Sequence, residues 1–519
     1  MKLNTLIISA IATATICSCT KINAPQASNP IIWADVPDLS MIRVGNSYYM
    51  TSTTMHMNPG VPVMKSDNLS DWKIVSYCYD TLGTTDETTL QNGKNTYGKG
   101  SWASCIRYID NKFIVSTFDK VTNKTYFFVT DNIENGKWQR HEFTPALHDH
   151  TIVFEDDGKI YMINGNGKLY IRELEPDFSG IKPNTEQVLI ENAGLPAGTD
   201  LMLNAEGSQM FKIGGKYYLF NIVWPRGGMR TVICHRADNI FGPYEGRVLL
   251  QDQGVAQGGL VDTPDGKWYA YLFGDRGAVG RIPYLVPVTW QDGWPVLGID
   301  GKVPEKLNLP ANKGLINGIV DNDDFDTPKP KLVWQWNHNP ENNLWSLTER
   351  QGYLRLKTDR IDTIFTQSRN MLTQRTFGPK CRGSIRLDIS NLKNGDIAGL
   401  ALLAGQYGYI GVKAENGQKS IIMVDNQPAE GERFGKQQLI ATLPTDSNIA
   451  YLRATCNFEN RVDTATFEYS TDGTIWNPIG RTLQMVYRLD HFMGQRFALF
   501  FYSTKQTGGY ADFDWFKVE

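Results

Sequence analysis

The sequence predicts an all-β chain: a five-bladed β-propeller followed by an antiparallel β-sandwich of jelly-roll type. Three observations predict it. A tight turn followed by an aromatic strand recurs at Gly45-Asn46-Ser47-Tyr48-Tyr49, Asp110-Asn111-Lys112-Phe113-Ile114, Asp157-Gly158-Lys159-Ile160-Tyr161, Gly214-Gly215-Lys216-Tyr217-Tyr218 and Asp265-Gly266-Lys267-Trp268-Tyr269. The repeat of roughly 50 residues is that of one four-stranded propeller blade, and five repeats give five blades. A second echo runs Ser66-Asp67-Asn68-Leu69, Thr130-Asp131-Asn132-Ile133 and Ala237-Asp238-Asn239-Ile240, each followed by an aromatic residue: Trp72, Trp138 and Tyr244. Downstream, short apolar runs at Gly352–Leu356, Gly383–Leu387, Tyr409–Val412 and Phe497–Phe501 are separated by turn residues, with no sustained helical period. Strands without helices make a sandwich.

In chain order, residues 1–19 read as a lipoprotein-type signal peptide. Lys2 supplies positive charge, and Leu6 to Ile16 form an apolar stretch too short to span a bilayer. Ile16-Cys17-Ser18-Cys19 resembles a bacterial lipobox, which makes Cys19 the lipidation site and implies a lipid-anchored protein of the bacterial cell envelope; plain secretion is the alternative. Residues 20–298 form the propeller. Residues 299–331, with Pro304, Pro310, Pro328, Pro330 and an acidic run from Asp321 to Asp326, read as a linker. Residues 332–519 form the sandwich. Five cysteines follow Cys19, namely Cys78, Cys105, Cys234, Cys381 and Cys456; they lack metal-ligand spacing and read as buried free thiols. A net charge of −3 gives no reason to expect nucleic acid or an anionic membrane surface as partner. Membrane attachment is therefore expected only through the N-terminal lipid.

The repeat also aligns polar residues. Twelve positions before Tyr161, Tyr218, Tyr269 and Ile114 stand Asp149, Glu206, Gln257 and Trp102, and eleven before Tyr49 stands Asp38. The innermost strand of each blade starts near the central channel, so these five positions are expected to converge on one axial pocket. Three of the five are carboxylates. A lone aspartate in a turn is usually a turn former, as in Asp156-Asp157-Gly158. Three acids at matched blade positions point instead to chemistry. His148 and His150 flank Asp149, and strand alternation is expected to turn both away from the face that Asp149 uses.

Asn29-Pro30-Ile31, Pro37-Asp38 and Ile42-Arg43-Val44-Gly45 resemble the opening of family 43 glycoside hydrolases. Asp149 with Phe154-Glu155-Asp156-Asp157-Gly158-Lys159 resembles that family's second acidic motif. Glu206-Gly207 leading to Tyr217-Tyr218-Leu219 resembles its third, and Trp102-Ala103-Ser104 and Gly280-Arg281 also match. The C-terminal region is similar to the concanavalin-like sandwich that accompanies β-xylosidase and α-L-arabinofuranosidase members.

The resemblance implies that Asp38 is a general base, Glu206 a general acid and Asp149 the neighbouring charge that orients the acid and keeps it protonated. Asp35 competes with Asp38 for the base role but lacks the position after Pro37. The resemblance further implies that Arg281 reaches the substrate; a blade-closing salt bridge is its structural alternative. Trp102 is either a sugar-packing wall or inter-blade core. Trp224 and Arg226 lie in a Gly-rich loop beyond the Glu206 hairpin and are expected on the pocket rim. Many family members carry a histidine where this chain has Gln257, a substrate-side residue here. Glutamine is a poorer ligand, so a structural calcium is disfavoured, no metal ligands are assigned, and the chemistry requires no cofactor.

The implied activity is exo-acting, inverting hydrolysis that releases terminal α-L-arabinofuranosyl residues from plant cell-wall polysaccharide or its oligosaccharides. β-D-Xylosidase or dual activity remains open, and the rival from another class is a catalytically silent sugar-binding propeller. The expected partner is an arabinose- or xylose-containing glycan.

Overall fold

The computed structural model describes residues 26–519, so the signal segment and Cys19 lie outside the described residues. Five four-stranded antiparallel sheets follow one another along the chain, each built from consecutive strands apart from one short excursion in the first. Their first strands are Ser40–Val44, Cys105–Ile109, Thr151–Phe154, Leu201–Ile213 and Val255–Asp262. Each touches the first strand of the next sheet, and the fifth touches the first, so the ring is closed. The five aromatic turns are the hairpins between first and second strands, as in the pairs Val44–Ser47 and Ile213–Lys216. Their aromatic residues other than Trp268 are buried, Tyr218 and Tyr269 at 3 % exposure each.

Closure is reinforced from the N-terminus. Gln26–Ser28 pairs with Lys306–Pro310, so the segment expected as a plain linker contributes a strand. The Asn29 amide donates to the carbonyls of Leu285 and Pro304, both at 2.8 Å. Arg43 of the first blade clamps Asp262 of the fifth, with Nε to Oδ1 at 3.0 Å.

The C-terminal sandwich packs an eight-stranded sheet on a seven-stranded one. Strand Arg496–Ser503 is buried along its whole length. Phe497, Leu499 and Phe501 fill the space between the sheets, while Ala498, Phe500 and Tyr502 face a second cluster with Met55 and Met57 of the propeller. The sandwich is therefore not a separate body. Met57–Asn58, an excursion from the first blade, pairs with Gln335–Asn337 and becomes the edge strand of the larger sheet. His56 sits in this seam, its Nε2 at 3.0 Å from Asn337 Oδ1. All five cysteines of the described residues are buried free thiols.

Candidate active site

The axial pocket is built in two tiers. The deeper tier surrounds a small cavity of about 10 Å³, room for about one water. Asp38, Ala103, Asp149, Gly207 and Gln257, one residue from each blade, line it. Backbone conformation unites four of them. Asp38, Asp149, Gly207 and Gln257 have φ of 50°, 48°, 66° and 58°, in the left-handed region. Register breaks between Glu206 and Gln209 and between Ala256 and Gly258 mark two of these sites as bulges. A bulge at the start of an innermost strand re-aims the side chain into the channel. Non-glycine residues in this conformation are strained, and such strain gathers at functional sites.

This tier corrects the register expected from the repeat. Counting back from the turn aromatics set Trp102 and Glu206 beside Asp38, Asp149 and Gln257. The hairpin loops differ in length, however: residues 214–215 join the strands of the fourth blade, residues 155–159 those of the third. In the fold Trp102 and Glu206 stand one residue ahead of the deep tier, and so does His148. These three, on consecutive blades, form the upper tier. His148 Nε2 lies 3.0 Å from Glu206 Oε2 and 3.7 Å from Asp149 Oδ2. Phe118 packs edge-on against His148 at 5.4 Å and stacks on Trp102 at 6.4 Å.

The expectation that both histidines turn away thus fails for His148. Asp149 precedes its strand, which begins at Thr151, and its left-handed backbone breaks the alternation on which that expectation relied. His150 does turn away. Its nitrogens engage Leu147 O at 2.9 Å and Ser116 Oγ at 2.7 Å, and burial pushes it down to about 4.

The carboxylates have unlike surroundings. Asp38 is buried; its Oδ1 accepts from Arg281 Nη1 at 2.8 Å and its Oδ2 from Thr53 Oγ1 at 2.7 Å. Burial opposes the Arg281 charge, but Asp38 and other neighbours outweigh it and hold the guanidinium above its usual range. Asp35 accepts from the backbone N–H groups of Arg281 at 2.8 Å and Gly494 at 3.0 Å, and so ties the propeller to the sandwich.

Across the pocket, Glu206 Oε2 accepts from Asn166 Nδ2 at 2.5 Å and contacts His148. Asp149 accepts the Gly207 N–H at 3.1 Å. Its carboxyl is raised to about 7: burial is the largest cause, the charges of Glu206 and Asp38 add to it, and His148 and the Gly207 N–H pull against it. Burial lowers His148, but Asp149 and Glu206 more than compensate, so it is raised.

The remaining expected residues divide. Arg281 is 5 % exposed and keeps Nε and Nη2 without a protein partner. Trp102 packs at 5.0 Å against Phe492, a sandwich residue that also covers the Arg281 guanidinium at 4.7 Å. Trp224 pairs with Leu203 at the strand end and donates its indole N–H to Gly228 O at 3.1 Å. Arg226 is exposed and pairs with Asp200 at 2.9 Å, making no contact with the three carboxylates. Sequence reasoning missed Thr53, Phe118, Asn166 and Phe492. His148, named in the sequence but expected to turn away, carried a signal in its adjacency to Asp149. Nothing local ties Phe492 to a pocket formed by residues 38–281.

A closed propeller that gathers three carboxylates at its axial mouth, one clamped by arginine and two sharing a histidine, has the constellation of a carbohydrate-cleaving enzyme. Comparison with known proteins agrees. Glycosyl hydrolases family 43 matches residues 27–295, and the beta xylosidase C-terminal concanavalin A-like domain matches residues 322–519. The chain belongs to glycosyl hydrolases family 43 and is a glycosidase. A solved structure described as a bifunctional GH43-CE of Bacteroides eggerthii is 59 % identical over 96 % of this chain, with a TM-score of 0.93; this chain spans 64 % of that one. A GH43 glycoside hydrolase engineered to display both endo-xylanase and exo-arabinofuranosidase activity is 30 % identical over 95 % of this chain and all of its own, with a TM-score of 0.85. A beta-xylosidase of Formosa agariphila is 28 % identical over 95 % of this chain and 90 % of its own length.

Proposed function

We propose that the enzyme is an exo-acting, inverting pentosidase that removes terminal α-L-arabinofuranosyl residues from xylan- or arabinan-type glycans. The observation that carries this is the asymmetry of the pocket. Arg281 and Thr53 hold both oxygens of Asp38, which fixes one carboxylate to deprotonate water. Glu206, on the fourth blade, has N–H partners on Oε2 alone, so Oε1 is the oxygen that delivers a proton to the leaving group. Asp149 and His148 share the protons of that side. Phe492 and Trp102 close the pocket over Arg281, which suits a chain end rather than a chain interior.

The arabinofuranosidase activity of the engineered GH43 relative supports the first-choice sugar. The full-length match to a beta-xylosidase supports β-D-xylose as the second reading. His148, Asp149 and Glu206 bring one ligand atom each within 4.8 Å of one another and are the described residues that could hold a metal ion; calcium takes six to eight oxygen ligands, and this set offers two carboxylates and an imidazole. The N-terminal lipobox supports attachment to the bacterial envelope through Cys19.

Purified enzyme is assayed on aryl α-L-arabinofuranoside, β-D-xyloside and β-D-galactoside, with the first-formed anomer followed by ¹H NMR. The reading predicts pentoside cleavage, fastest on the arabinofuranoside, with inverted product. A product that first retains configuration contradicts it.

A further inference from the structure

A groove lies away from the axial pocket, on the seam between first blade and sandwich. It has a volume of about 580 Å³, within the range of ligand-binding clefts, and shares no lining residue with the axial cavity. Its walls are aromatic. Trp336 and Trp345 come from the sandwich, with ring centroids 5.0 Å apart and planes at 44°, and Tyr77 comes from the blade. These rings are fixed in place. The Trp345 indole donates to Asn342 Oδ1 at 3.0 Å, and the Tyr77 hydroxyl donates to Leu332 O at 2.7 Å. Trp336 is only 6 % exposed, whereas Trp345 is half-buried and keeps ring surface open to the groove.

Around the rings stand hydrogen-bonding groups that the fold does not consume. The Asn342 amide, its oxygen taken by the indole, keeps its NH₂ free. Asp80 and Glu341 line the groove, are exposed, and make no ion pair among the described residues. Lys331 is neutralised by Asp321 at 3.0 Å, and Lys329 offsets part of the remaining negative charge. The surface is thus built of flat apolar faces edged with neutral amides and isolated acceptors, with no dominant charge. That chemistry fits a neutral sugar ring, whose C–H faces pack on aromatic planes while its equatorial hydroxyls reach side-chain donors and acceptors.

We propose that this seam groove is a second glycan-binding site, which holds a β-1,4-linked xylan backbone while the propeller trims chain ends. The identity of the chain rests on the function proposed above; the groove itself does not. Holding the polymer at a distance from the axial pocket raises the local concentration of cleavable ends.

The test uses full-length enzyme, xylohexaose as probe, and isothermal titration with the axial pocket saturated by monosaccharide product. Cellohexaose and a proline-rich decapeptide serve as alternative probes. The wild type is expected to bind xylohexaose, and Trp345→Ala to weaken binding at least tenfold. Trp345→Phe, which restores a flat ring, is expected to recover most of it. Both variants are expected to keep kcat/KM on the aryl pentoside within twofold, while on polymeric xylan Trp345→Ala loses rate and Trp345→Phe keeps most of it. Unchanged xylohexaose binding by Trp345→Ala overturns the proposal. So does binding of cellohexaose or the peptide alone. Failure of the pentosidase reading shows separately, as absence of aryl pentoside cleavage, and leaves Trp345-dependent binding to be scored by itself.

Discussion

The two sides of the axial pocket use the same functional group in opposite ways. On the first-blade side, Asp38 faces a permanent cation, and both oxygens are committed to fixed donors. On the side of the third and fourth blades, Glu206 and Asp149 face each other across a single histidine, with no lysine or arginine bonded to either carboxylate among the described residues. Fixed donors on both oxygens orient the Asp38 carboxylate. Carboxylates crowded together under burial retain a proton, as the rise of Asp149 to about 7 shows. The proposed base and acid are told apart by these unlike neighbours.

The largest expected effect comes from the clamped side. Asp38→Asn keeps the left-handed backbone, which asparagine tolerates, and removes the proton acceptor. A fall in kcat/KM of roughly 10²–10⁴-fold is expected on every substrate. Retained activity would break the contrast at once. Arg281→Lys comes next. A lysine cannot reproduce the guanidinium's planar reach, so a loss of roughly 10- to 100-fold is expected, in line with the ~1.5–3 kcal/mol of a charge-assisted hydrogen bond.

Asp149→Asn sharpens the other side. Removing its charge takes away the repulsion that keeps a proton in the cluster, so the alkaline limb of the pH–rate profile should move to lower pH. The same substitution has a stability signature. Asp149 is raised to about 7 in the fold, so between about 4 and 7 the native state binds more protons than the unfolded chain, and stability falls as pH rises through that window. An asparagine at this position does not ionise and escapes that loss. The variant should therefore melt above the wild type at pH 8, with the gap closing toward pH 4, as followed by thermal denaturation. An unchanged gap would show that burial does not act on this carboxyl. The smallest effect is expected at Phe492→Ala, which uncovers Arg281 and Trp102: KM should rise several-fold with kcat nearly kept.

Much of this was legible in the sequence, because the elements responsible are local. Hairpins such as Ile213–Lys216 announce themselves by turn glycines and aromatic strands, and five of them fix the blade number. The carboxylates were legible as residues but not as a geometry. Loops of different length shift the count from turn to channel, so Glu206 and Trp102 were aligned with Asp149 although the fold aligns them with His148. Left-handed backbone at Asp38, Asp149 and Gln257 leaves no mark in a periodic pattern. Contacts such as Phe492 on Arg281, or Met57–Asn58 in the sandwich sheet, join segments hundreds of residues apart and have no local signature.

The division of labour across the pocket is tested most directly by comparing Glu206→Ala with Asp38→Asn on two substrates, a nitrophenyl pentoside and an oligosaccharide of the same sugar. A nitrophenolate leaves without help from an acid; an alcohol does not. The account predicts that Glu206→Ala loses activity on the oligosaccharide while keeping much of it on the nitrophenyl substrate, and that Asp38→Asn loses both alike. Equal losses on both substrates for Glu206→Ala would contradict it.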